Sequence, residues 1–282
     1  MAWLMTGGMG YVGEHLYRTM PEEMKLECLR PGRQELRLNS WESVRQFFEE
    51  HEVEQVIHLA AALDNDPNDL FESNIIGLYY LLQVVKEKHI KYFIMISGNN
   101  VYGERGAPFS EEDTYGPVPN NYYGISKMFG ELAVRELLSG TDTQYAIVRI
   151  GDIYGPKQKT GALLKAVVGN ILEGQPQKLY GEGERIRDYI YIDDVAEGLC
   201  FVFRNRLQGI YNLATGQGTS VREIVAIAEA ISPSKEKTVH VQVDHEDRSC
   251  VVLDVRKLKE AGYSARITVE EGLKKIIAEE KT

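Results

Sequence analysis

Tyr123 and Lys127 stand four residues apart in the stretch Asn121-Tyr122-Tyr123-Gly124-Ile125-Ser126-Lys127-Met128-Phe129-Gly130-Glu131. On a helix that spacing puts both side chains on one face. An ammonium beside a phenol favours the phenolate and draws the tyrosine pKa down from its reference value of about 10 toward working pH. Such a pair can take a proton from a hydroxyl, or return one to a ketone. The spacing alone describes an ordinary helix face equally well, so its meaning depends on the elements around it.

The first of those elements is a turn near residue 7. Thr6-Gly7-Gly8-Met9-Gly10-Tyr11-Val12-Gly13 follows a short apolar run, Ala2 to Met5, and opens a helix-like segment. Gly7, Gly10 and Gly13 give the spacing G-x-x-G-x-x-G. A strand that turns this sharply into a helix lets a phosphate approach bare backbone, where free N–H groups and a partial positive charge await it. Gly13, one turn into the helix, allows that helix to sit close to the sheet. A tight turn without ligand uses the same spacing, but alternating strand and helix patterns continue down the chain. The turn is therefore read as a dinucleotide site.

Composition narrows the classes. A chain of 282 residues with 43% hydrophobic and 26% charged residues is ordinary for a soluble globular protein with a sizeable core. The net charge of −10 argues against nonspecific binding to nucleic acid or to an anionic membrane, both of which require a basic surface. Cys28, Cys200 and Cys250 are widely spaced, which disfavours a zinc site or disulfide framework and suits a reducing compartment. The first apolar run stops at glycine and no stretch reaches membrane-spanning length. These features predict a soluble, cytoplasmic protein with no metal site.

Further along, Glu14 to Met20 continues a helix that Pro21 ends, and Leu26-Glu27-Cys28-Leu29 reads as a second strand. Dinucleotide folds that prefer NAD usually carry an acidic residue at the end of this strand. Here stands Arg30, with Arg33 and Arg37 close behind, and guanidinium groups suit a 2′-phosphate. Three solvated loop arginines would look the same, but the reading leans towards NADP. Val44, Phe47 and Phe48 mark the apolar face of a helix running to about His51, and Gln55 to Leu59 reads as a buried strand. Its end, Ala60-Ala61-Ala62, is small enough to leave room for a cofactor, and His58 within it reads as a hydrogen-bonded core residue. Asp69 to Lys88 forms a long helix with a broad apolar face, in which Asn74 is expected to bond to a neighbouring loop. Tyr92 to Ser97 is the next strand, and residues 104–121 form a proline- and glycine-containing loop that can border a pocket.

Taken together, these motifs make the chain similar to the extended short-chain dehydrogenase/reductases, in the NAD-dependent epimerase/dehydratase branch that acts on nucleotide sugars. Further residues carrying the resemblance are Val56-Ile57-His58-Leu59-Ala60-Ala61, Asn74, Val101-Tyr102-Gly103, Arg149 to Pro156 and Gly181 to Ala196. The resemblance implies an α/β fold: a Rossmann-type doubly wound parallel sheet with a smaller interleaved C-terminal substrate lobe. Residues 1–156 and 186–215 would form the NAD(P)-binding domain, and 157–185 and 216–282 the lobe. It also implies Tyr123 as acid/base and Lys127 as the residue that orients the ribose and tunes the tyrosine. NADP or NAD would meet Gly7, Gly10, Tyr11, Val12, Gly13, Arg30, Leu38, Leu59, Ala60, Ala61, Asn74 and Ile150. A nucleotide-sugar substrate would meet Asn99, Asn100, Asp152 and Arg187, the last on its diphosphate. A homodimer through a four-helix bundle is expected from residues 70–88 and the Tyr123 helix.

The chain departs from the family pattern in three ways. Gly98 stands where a Ser or Thr usually holds the reacting oxygen, leaving Ser97, Asn99 or a water as substitutes. Asn99 and Asn100 replace the acidic pair with which 4,6-dehydratases eliminate water, which disfavours dehydration. Asp152 replaces an Asn near the substrate phosphates, which it would repel unless Arg187 compensates. The expected function is epimerisation or ketone reduction of a nucleotide-activated sugar. The alternative, motivated by Gly98, is a catalytically weak NAD(P)-binding regulator or partner subunit. Nucleic-acid binding finds no basic patch.

Overall fold

The computed structural model describes residues 2–63, 66–103, 106–113, 115–116, 121–158, 162–232 and 238–280. Parts of the expected 104–121 loop (104, 105, 114 and 117–120) and of the expected lobe (159–161, 233–237, 281 and 282) lie outside them. The chain divides into two compact units. One comprises residues 1–103, 111–150 and 196–212, the other 104–110, 151–195 and 213–282.

The first unit is built on a six-stranded sheet. Its chain order begins β1 (Ala2–Thr6), α1 (Tyr11–Thr19), α2 (Glu22–Leu26), β2 (Cys28–Leu29), α3 (Trp41–Glu50) and β3 (Val53–His58). There follow α4 (Pro67–Leu70), a π-helical segment Phe71–Ile76, α5 (Gly77–Glu87), β4 (Tyr92–Gly98), a 3₁₀ turn Asn99–Val101, α6 (Tyr122–Leu138) and β5 (Gln144–Ile150). The sheet order is β2-β1-β3-β4-β5 and then the strand Gly209–Leu213. The pairs β1–β2, β1–β3, β3–β4 and β4–β5 are parallel. Strand order reverses between β1 and β3, and in open parallel sheets ligands bind at the carboxyl ends of strands beside such a switch. The glycine turn follows β1 there, and Ala60-Ala61-Ala62 follows β3.

The apolar runs behave as buried parallel strands do. On one face Leu4, Val56, Phe93 and Ile147 join Val44, Phe47 and Phe48 of α3, Leu78, Leu82 and Val85 of α5, and Val134 of α6 in a single core. Elsewhere in the unit the Trp3 ring lies 4.8 Å from the Phe203 ring. Removing this apolar area from water is the main driving force for the layer, at about 25 cal/mol per Å².

Two local expectations are corrected. The second strand is only Cys28–Leu29, because Glu22 to Leu26 forms a short helix, capped by Pro21, that leaves Leu26 almost wholly exposed. The long helix from 67 to 87 is interrupted by the π segment, which carries Asn74.

Among the described residues, the second unit holds three small sheets: Thr219–Ser220 with Ile186–Arg187 and Cys250–Val251; Lys178–Tyr180 with Val239–Val241; and Asp152–Tyr154 with Tyr189–Tyr191. Residues 151–156, 186–195 and 213–215, expected with the first unit, group with the second. The physical reason is Asp188. Its buried carboxylate accepts hydrogen bonds from the Thr215 N–H and hydroxyl and from the Gly216 and Leu253 N–H groups. Among the described residues, no helix is long and apolar enough to cross a membrane, and no group of three or more His, Cys, Asp or Glu is arranged to hold a metal ion.

Candidate active site

The glycine turn has the shape of a phosphate cradle. Gly7 has φ +68°, a conformation that favours glycine, and a Cβ there would lie 2.6 Å from the Ala60 N. Gly10 N–H donates to the Gly7 carbonyl, and Gly10 caps α1 without any side-chain hydrogen bond. A Cβ on Gly13 would come within 2.6 Å of the Gly7 carbonyl oxygen, which confirms how closely helix and turn pack. Tyr11 and Val12 occupy the first turn of α1, both half-buried. Ala60, just after β3, borders the turn, Ala61 is half-buried, and the Leu59 N–H donates to the Thr6 carbonyl. These residues fit a dinucleotide: α1 begins without a side-chain cap, and Gly7 lets the turn pack directly on the backbone of Leu59 and Ala60, with no side chain intervening.

Thr6 and His58 brace this region from below, with 2.8 Å between Thr6 Oγ1 and His58 Nδ1. Burial, aided by the charge of Lys127, pushes the His58 pKa down to about 3, so the ring is neutral at ordinary pH. Asn74 is buried and its carboxamide is committed. Oδ1 accepts from the Ala62 N–H at 2.8 Å, while Nδ2 donates to the Ala62 carbonyl and to Ser126 Oγ. Ser126 in turn donates to the Tyr123 carbonyl at 2.8 Å. Asn74 therefore holds the loop after β3 to α6. Leu38 packs against the start of α5, 3.2 Å from where a Gly77 Cβ would stand, and Ile150 is buried at the end of β5.

Arg30 is not the solvated cation that a loop arginine suggests. Its Nη2 donates to the Gly8 carbonyl at 2.7 Å and to Glu14 at 2.6 Å, and its guanidinium lies 3.9 Å from the centre of the Tyr17 ring. It is locked across the glycine turn with its charge already countered by Glu14. Arg33 and Arg37 are exposed.

Tyr123 and Lys127 sit one turn apart on α6, whose N-cap Asn121 accepts from the Gly124 N–H at 2.9 Å. Gly124 permits this approach: a Cβ there would lie 2.8 Å from the Asn100 carbonyl oxygen. Lys127 is buried, donates to the Ile96 carbonyl at 3.0 Å, and its Nζ lies 5.6 Å from the Tyr123 ring centre. The expected direction of the tyrosine shift is reversed. Burial pushes Tyr123 up to about 12 and brings Lys127 down to about 8, the latter against the pull of Glu131. The chain by itself therefore presents a neutral phenol, a proton donor, beside a lysine whose charge is easily altered.

Ser97, expected among the catalytic residues, is engaged within the protein. It is buried, and its hydroxyl donates to Glu131 at 2.5 Å. Glu131 also accepts from Arg149 Nη2 at 2.7 Å and from the Tyr115 hydroxyl at 3.0 Å. Burial opposes the charge on Arg149, but its hydrogen bonds to Glu131 outweigh that and drive its pKa up. The guanidinium also covers the Tyr102 ring at 4.6 Å, and Tyr102 donates to Asn212 at 2.7 Å. Glu131 and Arg149, which the sequence reading does not single out, form a buried pair beside Ser97. Two signals were available: Glu131 follows Lys127 by four residues on one helix face, and Arg149 is a charge inside an apolar strand. Asn99 is buried in the 3₁₀ turn, whereas Asn100 is exposed.

In the second unit, Arg187 Nη1 donates to the Ile186 and Ser249 carbonyls and Nη2 to the Ser249 hydroxyl. Its ion pairs are with Asp152 at 3.8 Å and Asp247 at 3.6 Å, so two carboxylates flank one guanidinium. Asp152, expected to oppose substrate phosphates, is thus balanced by Arg187 within its own unit.

The fold and this arrangement define a class. The NAD dependent epimerase/dehydratase family model matches residues 3–214, and the chain belongs to that family. Among curated relatives it is 29% identical over 250 residues to a UDP-glucuronate 4-epimerase of Thermodesulfobacterium geofontis, covering 85% of this chain and 76% of that one. Among solved structures it is similar to a UDP-glucose 4-epimerase of Thermotoga maritima with UDP-glucose, at 26% identity and TM-score 0.85, covering 100% of this chain and 99% of that one. It is also similar to a UDP-glucose 4-epimerase of Thermus thermophilus in complex with NAD, at 25% identity and TM-score 0.84, covering 99% and 98%.

Proposed function

We propose that this chain is a nucleotide-sugar epimerase that uses Tyr123 as proton donor and acceptor and Lys127 as the cation beside it. The observation that carries the reading is the pair itself: Tyr123 and Lys127 lie one turn apart on α6, with Lys127 anchored to the end of β4 by the Ile96 carbonyl. The dinucleotide, when bound, supplies the hydride acceptor and donor. Tyr123 exchanges a proton with the sugar oxygen, Lys127 favours the phenolate whenever it carries its proton, and the turn Gly7–Gly13 holds the pyrophosphate. Arg187 meets the substrate diphosphate by displacing Asp152 and Asp247 as its ionic partners, since a guanidinium fork matches phosphate oxygens. The Glu14–Arg30 pair favours NAD, because a 2′-phosphate would have to approach a carboxylate 2.6 Å from the guanidinium.

A second reading, a 4-ketoreductase consuming NADPH, is favoured by Arg30 itself, which stands where NAD-preferring folds carry an acidic residue. Denaturing the purified protein and identifying the nucleotide released separates the two. Stoichiometric NAD supports the epimerase; an empty protein that binds NADPH on titration supports the reductase; an empty protein that binds neither removes both and leaves a noncatalytic role. Conversion of UDP-glucose or UDP-glucuronate by the wild type, and its loss in Tyr123→Phe, tests the chemistry.

The dimer belongs to the same reading. Phe71, Tyr79, Tyr122, Ile125, Phe129 and Leu132 are exposed large apolar side chains on the π segment, α5 and α6, and pairing two such faces would form a four-helix bundle. Sedimentation of Phe129→Glu is expected to give a monomer where the wild type gives a dimer.

A further inference from the structure

Ser97 is committed to Glu131, and Gly98 has no side chain, so the end of β4 lacks the hydroxyl that this chemistry calls for. What lies beside the vacant direction is informative. A Cβ built on Gly98 meets Asn100 Oδ1 at 3.4 Å and the Ile150 carbonyl oxygen at 3.9 Å, both ordinary contacts. The Asn100 carboxamide therefore reaches back over Gly98 from the 3₁₀ turn. Its backbone carbonyl meanwhile lies 2.8 Å from where a Cβ on Gly124 would stand, next to Tyr123 in the chain. Asn100 is exposed, so a ligand can reach its amide, whereas Asn99 is only 7% exposed.

We infer that the Asn100 carboxamide replaces the absent hydroxyl, donating a hydrogen bond from Nδ2 to the same substrate oxygen that exchanges a proton with Tyr123. An amide cannot act as an acid or base at ordinary pH, but it carries two N–H donors and can hold and polarise an oxygen on which charge develops. The terminal torsion of asparagine is two-fold, so turning the amide over presents Nδ2 where Oδ1 now lies. Asn100 thus does the positioning, and Tyr123 keeps the proton transfer. This inference rests on the function proposed above.

The test uses the wild type, Asn100→Ala, Gly98→Ser combined with Asn100→Ala, and Tyr123→Phe, with UDP-glucose and UDP-glucuronate as probes. Asn100→Ala is expected to lower kcat by about 10²-fold, as loss of one oxyanion donor does, while the dissociation constant of the probe changes by less than about threefold. The Gly98→Ser, Asn100→Ala double variant is expected to recover at least about tenfold in kcat, because a hydroxyl at 98 fits and serves the same oxygen. A purely structural role for Asn100 in its turn would not be rescued from position 98. Wild-type kcat in Asn100→Ala, or a double variant no faster than Asn100→Ala with both folded by circular dichroism, overturns the inference while leaving the proposed function intact. A wild type inert toward both probes, or a fully active Tyr123→Phe, removes the proposed function and this inference with it.

Discussion

The Ser97 hydroxyl donates to the Glu131 carboxylate at 2.5 Å, and this bond joins the end of β4 to the helix that carries Tyr123 and Lys127. Glu131 and Arg149 are both essentially inaccessible, so the pair has to be satisfied inside the protein. Ser97 is one of the partners that satisfy it. The bond thus ties α6 to the sheet.

That relationship gives a pair of contrasting outcomes. Ser97→Ala should destabilise the protein by about 1–2 kcal/mol, the cost of leaving one buried acceptor short of a donor, while kcat stays within about threefold of wild type. Arg149→Met should cost about 3–5 kcal/mol, because it strands a buried carboxylate. Urea unfolding curves measure both. A kcat loss of two orders of magnitude in Ser97→Ala, with stability unchanged, would return Ser97 to the catalytic set.

Tyr123→Phe should lower kcat by about 10²–10⁴-fold, the usual worth of a positioned acid/base group, with probe binding retained. Lys127 supplies the pH signature. Its pKa of about 8 means that the ammonium is present below that value and lost as pH rises through it. The wild-type rate should thus fall on the alkaline side near pH 8, and Lys127→Met should be slow at all pH values and lack that limb. A pH–rate profile that rises steadily past pH 9 (about one unit above the lysine pKa) would contradict the assignment.

Gly7→Ala should abolish dinucleotide binding and destabilise the fold by about 1–3 kcal/mol. The backbone there has positive φ, and the new Cβ would press on the Ala60 backbone. Titration with NAD and NADP, followed by tryptophan or cofactor fluorescence, reads the first effect, and thermal unfolding the second. Undiminished binding would remove the cradle from this turn.

His58 predicts an acid-sensitive stability. Its folded pKa of about 3 lies below its ordinary value of 6.5, so between those values the unfolded chain binds more protons and stability falls as pH falls. From pH 7 to pH 5 the loss attributable to this ring is about 2 kcal/mol. His58→Asn should show a correspondingly shallower pH dependence in the same interval, measured by denaturant midpoints. Identical slopes in the two proteins would mean that the ring is protonated, or reached by water, in the folded state.

The parts of this site that sequence made legible are those in which residue type alone encodes geometry. Gly7 reads as a turn because its backbone conformation favours glycine, and the four-residue interval from Tyr123 to Lys127 survives any detail of packing. Arg30 was legible in place but not in state, since Glu14 lies 16 residues away in sequence and on another element. The direction of the Tyr123 shift was misjudged for a related reason: spacing supplies the neighbouring charge, whereas burial depends on everything that closes over the ring. Ser97 and Gly98 differ by one position, and at a strand end that position decides which face a hydroxyl serves. The limits of the two units follow from Asp188, whose four hydrogen bonds come from residues 215, 216 and 253, a convergence that no local pattern announces.

The π-helical segment Phe71–Ile76 also sets a phase. With 3.6 residues per α-helical turn, one residue more or less rotates everything downstream by about 100°. Deleting a single residue between Phe71 and Ile76 would remove the wide turn and leave both flanks in phase, whereas the full run wound as a plain α-helix would swing Leu78, Leu82 and Val85 of α5 away from the sheet, exchanging them with the outward-facing Tyr79. The only remedy for such a chain would be to rotate the upstream turn instead, carrying Asn74 off Ala62 and Ser126. The irregular turn is thus a timing device in the sequence: it lets one continuous helical run serve two clocks, one set by the hydrophobic core and the other by the loop that follows β3.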